Sequence, residues 1–491
     1  MWFILVPIAV VICFYWFHIK YSYWKLRGVP GPDPIFIAGN VMPTILRQKS
    51  LGEIVTSLYR KYDGHVVGFY RLLRPCLIVK DLDIAKTIIV KEFGSFHDNE
   101  FYIGLESDAA FGGNPFTLKG EEWKEKRSYI TGSFTTGKVK TMFSNIKDGA
   151  QNLSCYLGKL TERGSKMLEA KELCCLYTLE TVFSCAYTVE ARVFENPDSP
   201  FFEMGQKLYY SEYLATFKFF LSIIFPKISK FIGVRFTNKH TESQLFDVIR
   251  ASLEYRDKNN VDIKDFLTTI ASLREKYTEK EILALAAAFY LDGQETTGLV
   301  MGHFLYELAA NPETQENLRK EINDYFEKDG GQLSYESLQE MPYLDACFKE
   351  NLRLHSILHY LPRICTKTFT YTFPNGNHPP LTIEKGTPVM IPLYGIHYDP
   401  KYYEDPYTFK PERFLDRDSS KKQPFFGFGD GPRACLGRRF GIAQVKTGVV
   451  HLIKDFEVSV NSKTRLPLKT DAWDFLVVSV EGVWLNFKKL T

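Results

Sequence analysis

PFFGFGDGPRACLGRRFG, residues 424–441, places one cysteine, Cys435, in a loop with five glycines that runs directly into a segment of amphipathic helical pattern. A thiol in a glycine-rich turn at a helix start feels the helix dipole and the unbonded backbone N–H groups, and both favour thiolate. Glycine lets the backbone come close to whatever the sulfur meets. A nucleophile, a metal ligand and a small buried residue all fit this local description, and free cysteine is commonly structural.

The surrounding chain of 491 residues is 45% hydrophobic and 15% aromatic, enough for a large buried core. No internal repeat, low-complexity tract or Pro/Gly/Ser-rich linker divides it after residue 34, so one large domain is expected. The formal charge of +3, without basic clusters interleaved with aromatics, argues against a nucleic-acid groove. Nine cysteines without C-x-x-C pairs argue against a disulfide framework or structural zinc and fit a reducing compartment. Cys174 and Cys175, in KELCCLYTLETVF, read as small apolar residues of a buried helix.

MWFILVPIAVVICFYWF, residues 1–17, is apolar throughout and then meets His18, Lys20, Lys25 and Arg27 before Val29-Pro30-Gly31-Pro32. The basic residues follow the apolar run, and no small-x-small cleavage site is evident. A transmembrane anchor over residues 1–20 is therefore expected ahead of a cleaved signal peptide, with a basic Pro-Gly hinge over 21–34 and a catalytic domain over 35–491. The positive-inside rule puts that domain in the cytoplasm. Within it, HVVGFY and CLIVKD read as strands. GEEWKEKRSYI, TEKEILALAAAFYLDGQETTGLVMGHFLYELAA and ETQENLRKEINDYFEK read as helices, the second ended by Asn311-Pro312. Strand signals return in RICTKTFTYTF, LTIEKGTPVMIPLYGI and LVVSVEGVWLNF. The pattern predicts a mostly α-helical α+β fold with small β sheets.

Phe428, Gly431, Arg433, Cys435 and Gly437 spell F-x-x-G-x-R-x-C-x-G. This resembles the signature of the cytochromes P-450, the haem-thiolate monooxygenases, in which the cysteine is the axial ligand of haem iron. Gly427 stands where that family usually has proline, a departure expected to loosen the loop. Other family elements follow in order. Glu350 and Arg353, in KENLR, resemble E-x-x-R, and Arg413, in PERF, completes an expected buried Arg–Glu–Arg network. Glu316 to Arg319 has the same E-x-x-R spelling but reads as a solvated helix face. Trp123 and Arg127 resemble W-x-x-x-R; with Arg363 in LPRICTK and Arg433, the resemblance implies cations for the haem propionates.

Leu291-Asp292-Gly293-Gln294-Glu295-Thr296-Thr297 puts glycine and paired hydroxyls in mid-helix, a pattern that marks kinks and diverted backbone bonds. It resembles the family's oxygen-binding groove. Carried over, Thr296 would hydrogen-bond to dioxygen or an ordered water and Glu295 would relay protons. Asp292 stands where a small Ala or Gly is usual; it either turns away into a polar contact or alters the polarity and proton supply of the groove. Phe96 to Phe116, Tyr209 to Phe220, Phe289, Ile357 to Leu361 and Phe475 to Val478 are the cavity walls implied by the resemblance, suited to a lipophilic substrate.

TFKFFLSIIFPKISKFIGVRF, residues 216–236, reads as a second membrane contact or as a core helix broken at Pro226. Without a flavin or nicotinamide fingerprint, electrons are expected from a partner; the resemblance implies NADPH–cytochrome reductase and cytochrome b5. Lys421, Lys422, Arg438, Arg439, Lys124, Lys126, Lys138 and Lys140 form a docking face for it or are solvated lysines and arginines. SFTTGKVKTMF, residues 133–143, is similar to the microsomal branch that includes insect detoxification enzymes, which implies the endoplasmic reticulum membrane. Two other readings stand beside the monooxygenase: a haem-thiolate isomerase or dehydratase that needs no reductase, and a non-catalytic haem- or lipophile-binding protein.

Overall fold

Capping signals open several of the helices that frame the site. Thr278 and Glu281 form a reciprocal capping box at the start of one, as Ser50 and Glu53 do at another, and Pro312 and Pro342 sit in the first turns of two more. The computed structural model describes residues 2–196, 199–206, 217–218, 221, 233–260, 265–374, 376, 378–416 and 423–490. Residues 216–236, read as a second membrane contact, and the expected wall from Tyr209 to Phe220 lie mostly outside these residues, and Lys421 and Lys422 lie wholly outside them.

Helix α1 (Trp2–Tyr21) contains an 18-residue stretch, Ile4–Tyr21, long and apolar enough to cross a membrane, with mean hydropathy 1.8. The basic stretch after it is packed onto the body. The Trp24 indole N–H donates to the Phe69 carbonyl at 3.2 Å, and the Trp24 backbone N–H donates to the Tyr70 hydroxyl at 3.0 Å. Gly31 lies so close to β1 (Val66–Arg71) that a β-carbon there would fall 1.8 Å from the Gly68 oxygen.

Strand β1 pairs antiparallel with β2 (Arg74–Val79). Farther along come β3 (Lys166–Glu169), β4 (Tyr360–Ile364), β5 (Phe369–Tyr371), β6 (Leu381–Ile383), β7 (Pro388–Pro392), β8 (Phe456–Val460) and β9 (Trp484–Lys489). They make sheets of order β1-β2-β7-β4, β3-β9-β8 and β5-β6, with β2 and β7 parallel. Only the second half of LVVSVEGVWLNF is a strand. Gly482, at φ +74°, turns the chain, and the preceding residues bond instead to the Ile357 carbonyl through the Val477 N–H at 3.0 Å.

The helices are α2 (Leu51–Lys61), α3 (Gly120–Thr131), α4 (Thr136–Thr161), α5 (Ala170–Tyr187), α6 (Lys239–Asn259), α7 (Glu279–Gly293), α8 (Glu295–Ala310), α9 (Pro312–Lys328), α10 (Pro342–Leu354) and α11 (Arg438–Asp455), with shorter turns between. The predicted single long helix is thus two, α7 and α8, broken at Gln294. Helix α5 packs across the break: the Thr178 hydroxyl donates to the Gln294 carbonyl at 2.7 Å, and the Gln294 side-chain amide donates to the Cys175 carbonyl at 3.2 Å. A β-carbon on Gly298 would meet the Cys175 sulfur at 2.6 Å, so α8 lies directly on α5. Cys174 and Cys175 are buried there, as their pattern predicted.

Candidate active site

The cysteine loop is held by its own backbone. The Cys435 N–H donates to the Phe428 carbonyl at 2.9 Å, and the Gly441 N–H donates to the Gly437 carbonyl at 2.8 Å as α11 begins. Gly431 has φ +69°, and a β-carbon on it would fall 2.0 Å from the Ile89 oxygen. Gly427 is also confined: a β-carbon there would meet the Phe425 ring at 2.6 Å, so glycine lets that ring fold back onto His397. Phe428 stacks on Phe348 of α10, with Arg438 over the Phe428 ring. Cys435 faces a cavity of about 310 Å³, partly open to solvent and walled by Phe111, Phe116, Phe289, Leu361 and Phe475. Its side chain is exposed to that cavity, yet the protein around it withdraws bulk water, and this desolvation pushes the thiol up to about 11, with Asp292 adding to the rise and Arg127 opposing it. A cation is needed to hold this sulfur as thiolate.

Behind the loop, Glu350 and Arg353 of α10 are fully buried. Glu350 accepts from Arg353 Nε at 2.7 Å and Nη2 at 2.8 Å, from Arg413 Nε at 2.9 Å and from the Lys410 N–H at 3.0 Å. Arg353 Nη1 then donates to the His397 carbonyl at 2.7 Å, and His397 Nε2 accepts the Phe426 N–H at 3.1 Å. The network therefore reaches the cysteine loop through one histidine. Burial, reinforced by Arg353, pulls His397 down to about 3, which keeps Nε2 an acceptor.

Arg127, Arg363, Arg433 and Trp123 all line the cavity. Arg433 donates to the carbonyls of His97, Pro115 and Leu118 at 2.8–2.9 Å and lies 3.9 Å over the Trp123 ring. Arg127 donates to the Ala434 carbonyl at 2.6 Å, and Arg363 to Asn99 Oδ1 at 2.9 Å. Burial lowers all three guanidinium groups, Arg363 to about 10 and Arg433 to about 9; Arg363 and Arg127 add to the fall at Arg433, and Asp98, 3.6 Å away, opposes it. Trp123 Nε1 and Arg363 Nε are buried and take no partner among the described residues. Three crowded cations and two idle donors make a site for an anionic group. Gly437 also lines the cavity, and beyond its chain neighbours the nearest described atom to a β-carbon built on it is a Phe134 ring carbon at 3.9 Å, which leaves space beside it for a ligand. A thiol for iron, donors for two propionates and apolar walls for a macrocycle are what haem requires.

The profile of the family described as "Cytochrome P450" matches residues 29–485. The chain belongs to the cytochrome P-450 family. It is 35% identical to "Probable cytochrome P450 6a13" of Drosophila melanogaster, over 96% of this chain and 95% of that protein. It is 30% identical to "Cytochrome P450 6k1" of Blattella germanica, over 99% and 97%. Members of this family bind haem through a cysteine thiolate, and membership makes the chain a haem-thiolate monooxygenase with the helix-rich fold the sequence predicted.

The residues that resemble the family's oxygen-binding groove lie at the α7–α8 break. Thr296 lines the cavity and its hydroxyl donates to the Asp292 carbonyl at 2.5 Å, leaving its oxygen as an acceptor. Asp292 also lines the cavity; its Oδ1 accepts from Asn114 Nδ2 at 2.8 Å. Asp292 thus makes a polar contact without turning away from the cavity, whose wall it makes more polar. Glu295 is not among the cavity-lining residues and pairs with Lys171 Nζ of α5 at 2.5 Å. Of the expected walls, Phe111, Phe116, Phe289, Ile357, Leu358, Leu361, Phe475 and Leu476 line the cavity, whereas Phe96 packs on Phe369. Sequence reasoning missed Asn114, Lys171 and His397, which lie far along the chain from the motifs they serve and carry no local signal. It also misplaced Lys126, which is buried between Glu122 and Glu281 and cannot belong to a docking face.

Proposed function

We propose that Cys435 is the iron ligand, that Arg127, Arg363, Arg433 and Trp123 hold the haem propionates, and that the enzyme inserts one oxygen atom of O2 into a lipophilic molecule with electrons from NADPH. The convergence of a thiol with two idle buried donors on one cavity supports this reading. Bound there, haem supplies oxygen activation and substrate oxidation. The aromatic walls exclude water, and the Glu350 network holds the loop so that Cys435 keeps its aim. Thr296 presents a hydroxyl oxygen to the groove, and Glu295 delivers protons once it leaves Lys171. Thr296→Ala is expected to keep haem and to lower product formed per NADPH; an unchanged ratio would remove Thr296 from proton handling.

The electrons come from a membrane reductase, with cytochrome b5 as a second donor, docking on the exposed Lys124, Arg438 and Arg439. The enzyme sits in the endoplasmic reticulum membrane with its body on the cytoplasmic face. The turn at Ile35, Phe36 and Ile37 supports the membrane reading. These residues are 50%, 41% and 59% exposed, and the Phe36 ring lies 4.8 Å from that of Phe14 and 4.4 Å from that of Phe17. At about 1.5 Å per residue, this contact lies roughly 6–10 Å below the end of α1, so a spanning α1 immerses the turn with it. The deciding experiment is the reduced carbon-monoxide difference spectrum of expressed membranes beside Cys435→Ser. A thiolate-type Soret band absent from the variant supports the reading, and well-folded protein without any haem signal overturns it.

A further inference from the structure

The chemistry of the cavity is asymmetric. Among its described lining residues one side chain is acidic, Asp292, and the wall around it is largely aromatic and aliphatic. The carboxylate is held in place by a built contact. The Asn114 side chain is fully buried; its Oδ1 accepts the Phe116 N–H at 2.7 Å, which fixes the amide so that Nδ2 faces Asp292 Oδ1 at 2.8 Å. The Asn114 carbonyl in turn accepts the Thr117 N–H, the Leu118 N–H and the Thr117 hydroxyl, so the loop carrying the amide is itself tied down. The hydrogen bond from Asn114 falls on Oδ1 alone, and the Asp292 side chain lines the cavity and is exposed there.

The charges that could neutralise it are otherwise engaged. Arg127, the cation that acts on Asp292, donates to the Ala434 carbonyl and stands in the cationic cluster that the propionates are proposed to occupy. Arg363 and Arg433 donate to Asn99 and to backbone carbonyls. Lys171, the lysine of α5, is paired with Glu295, which does not line the cavity. Asp292 is exposed to the cavity, and the protein around it withdraws bulk water, which raises its carboxyl to about 6, with Asn114 and Arg127 opposing the rise.

A fixed carboxylate with one oxygen left over, on a cavity wall that is aromatic and aliphatic apart from arginines engaged elsewhere, rewards a ligand that brings a cation with an N–H, and goes unpaired when a neutral ligand fills the same space. We propose that Asp292 sets the substrate class of this enzyme: lipophilic molecules carrying a basic nitrogen, whose ammonium donates to Asp292 Oδ2 while the apolar remainder lies against Phe111, Phe116 and Phe289. The inference rests on the monooxygenase reading above, because it concerns the same cavity.

The test uses full-length, haem-loaded enzyme in phospholipid nanodiscs at pH 7.4. Equilibrium dialysis compares N,N-dimethyl-4-phenylbutylamine with its uncharged isostere (5-methylhexyl)benzene, and the Soret band reports whether the amine ligates iron. The amine is expected to bind about tenfold more tightly, the scale of one hydrogen bond to a charged group, and the preference is expected to vanish in Asp292→Asn. Asp292→Ala replaces that variant if it fails to take up haem. Equal binding of the two probes by wild type, or a preference that survives in the variant, overturns the assignment. So does a nitrogen-ligated Soret band, because iron would then be selecting the amine. A wild-type protein with no carbon-monoxide band fails on the monooxygenase reading instead, so the two failures are distinct.

Discussion

Two E-x-x-R tetrads in this chain have the same spelling and opposite surroundings, which turns burial into a measurable difference. Glu350→Gln keeps the shape of the side chain and removes the negative charge that Arg353 and Arg413 share. Four charge-assisted contacts lose their acceptor charge at a site where Glu350 and Arg353 are 0% exposed. Removing one member of a buried ion network leaves uncompensated charge and costs about 3–5 kcal/mol, a large share of the roughly 5–15 kcal/mol that holds a folded domain. Glu316 pairs with Arg319 on α9, but its side chain is 51% exposed, so Glu316→Gln is expected to cost about 1 kcal/mol or less. Urea unfolding followed by fluorescence, with carbon-monoxide binding per milligram as the readout of the loop, checks both. Glu350→Gln should lose stability and haem together, since its network reaches Phe426 through His397. Equal costs for the two variants, or a destabilised Glu350→Gln with full haem content, would refute the argument.

Three further predictions follow from single contacts. Gly431→Ala forces a β-carbon against the Ile89 oxygen at a positive φ and is expected to abolish haem uptake, whereas the space at Gly437 lets Gly437→Ala fold; circular dichroism of both variants shows whether only the first is structurally broken. His397 is kept neutral in the fold, so its contribution is complete above about pH 6.5 and is lost as pH falls toward about 3. His397→Gln keeps an acceptor for the Phe426 N–H without that proton, so it should gain about 2 kcal/mol on wild type between pH 7.5 and 5.0 in urea melts, and parallel curves would refute the sign. Glu295→Gln is expected to lower product per NADPH, and adding Lys171→Met should change nothing more; an effect of Lys171→Met that persists in the Glu295→Gln background would separate Lys171 from proton delivery.

The parts legible in the sequence are those whose physics is local. The glycines around Cys435 and the Asn311-Pro312 stop after the long helical pattern each act within a few residues, so the chain announces them. The break at Gln294 was visible as a glycine and hydroxyl pattern in mid-helix, but its cause is not local: α5 bonds to the freed Gln294 carbonyl. Glu295 shows the limit most directly. Its position in the motif assigned it to the groove, and its side chain is turned out of it by a lysine 124 residues earlier in the chain. Arg319 shows the same limit. Read as part of a solvated face, it donates from α9 to the carbonyls of Ile453 and Phe456 and bolts that helix to the end of α11.

Charge balance explains why the cavity and the cysteine loop depend on each other. Arg433 ties the loop to the segment from His97 to Leu118 through three carbonyls, and Arg127 ties it to α3 through the Ala434 carbonyl. Both links hold a guanidinium group out of water, where burial works against its charge. Asp98 offsets part of that cost at Arg433, and nothing comparable sits at Arg363, whose Nε has no partner among the described residues. The thiol has the opposite difficulty, being pushed toward its neutral form in the same cavity. A group that brings a metal cation to the sulfur and two carboxylates to the arginines resolves both penalties at once. On the proposed placement, haem binding would stabilise this fold as well as supply its chemistry.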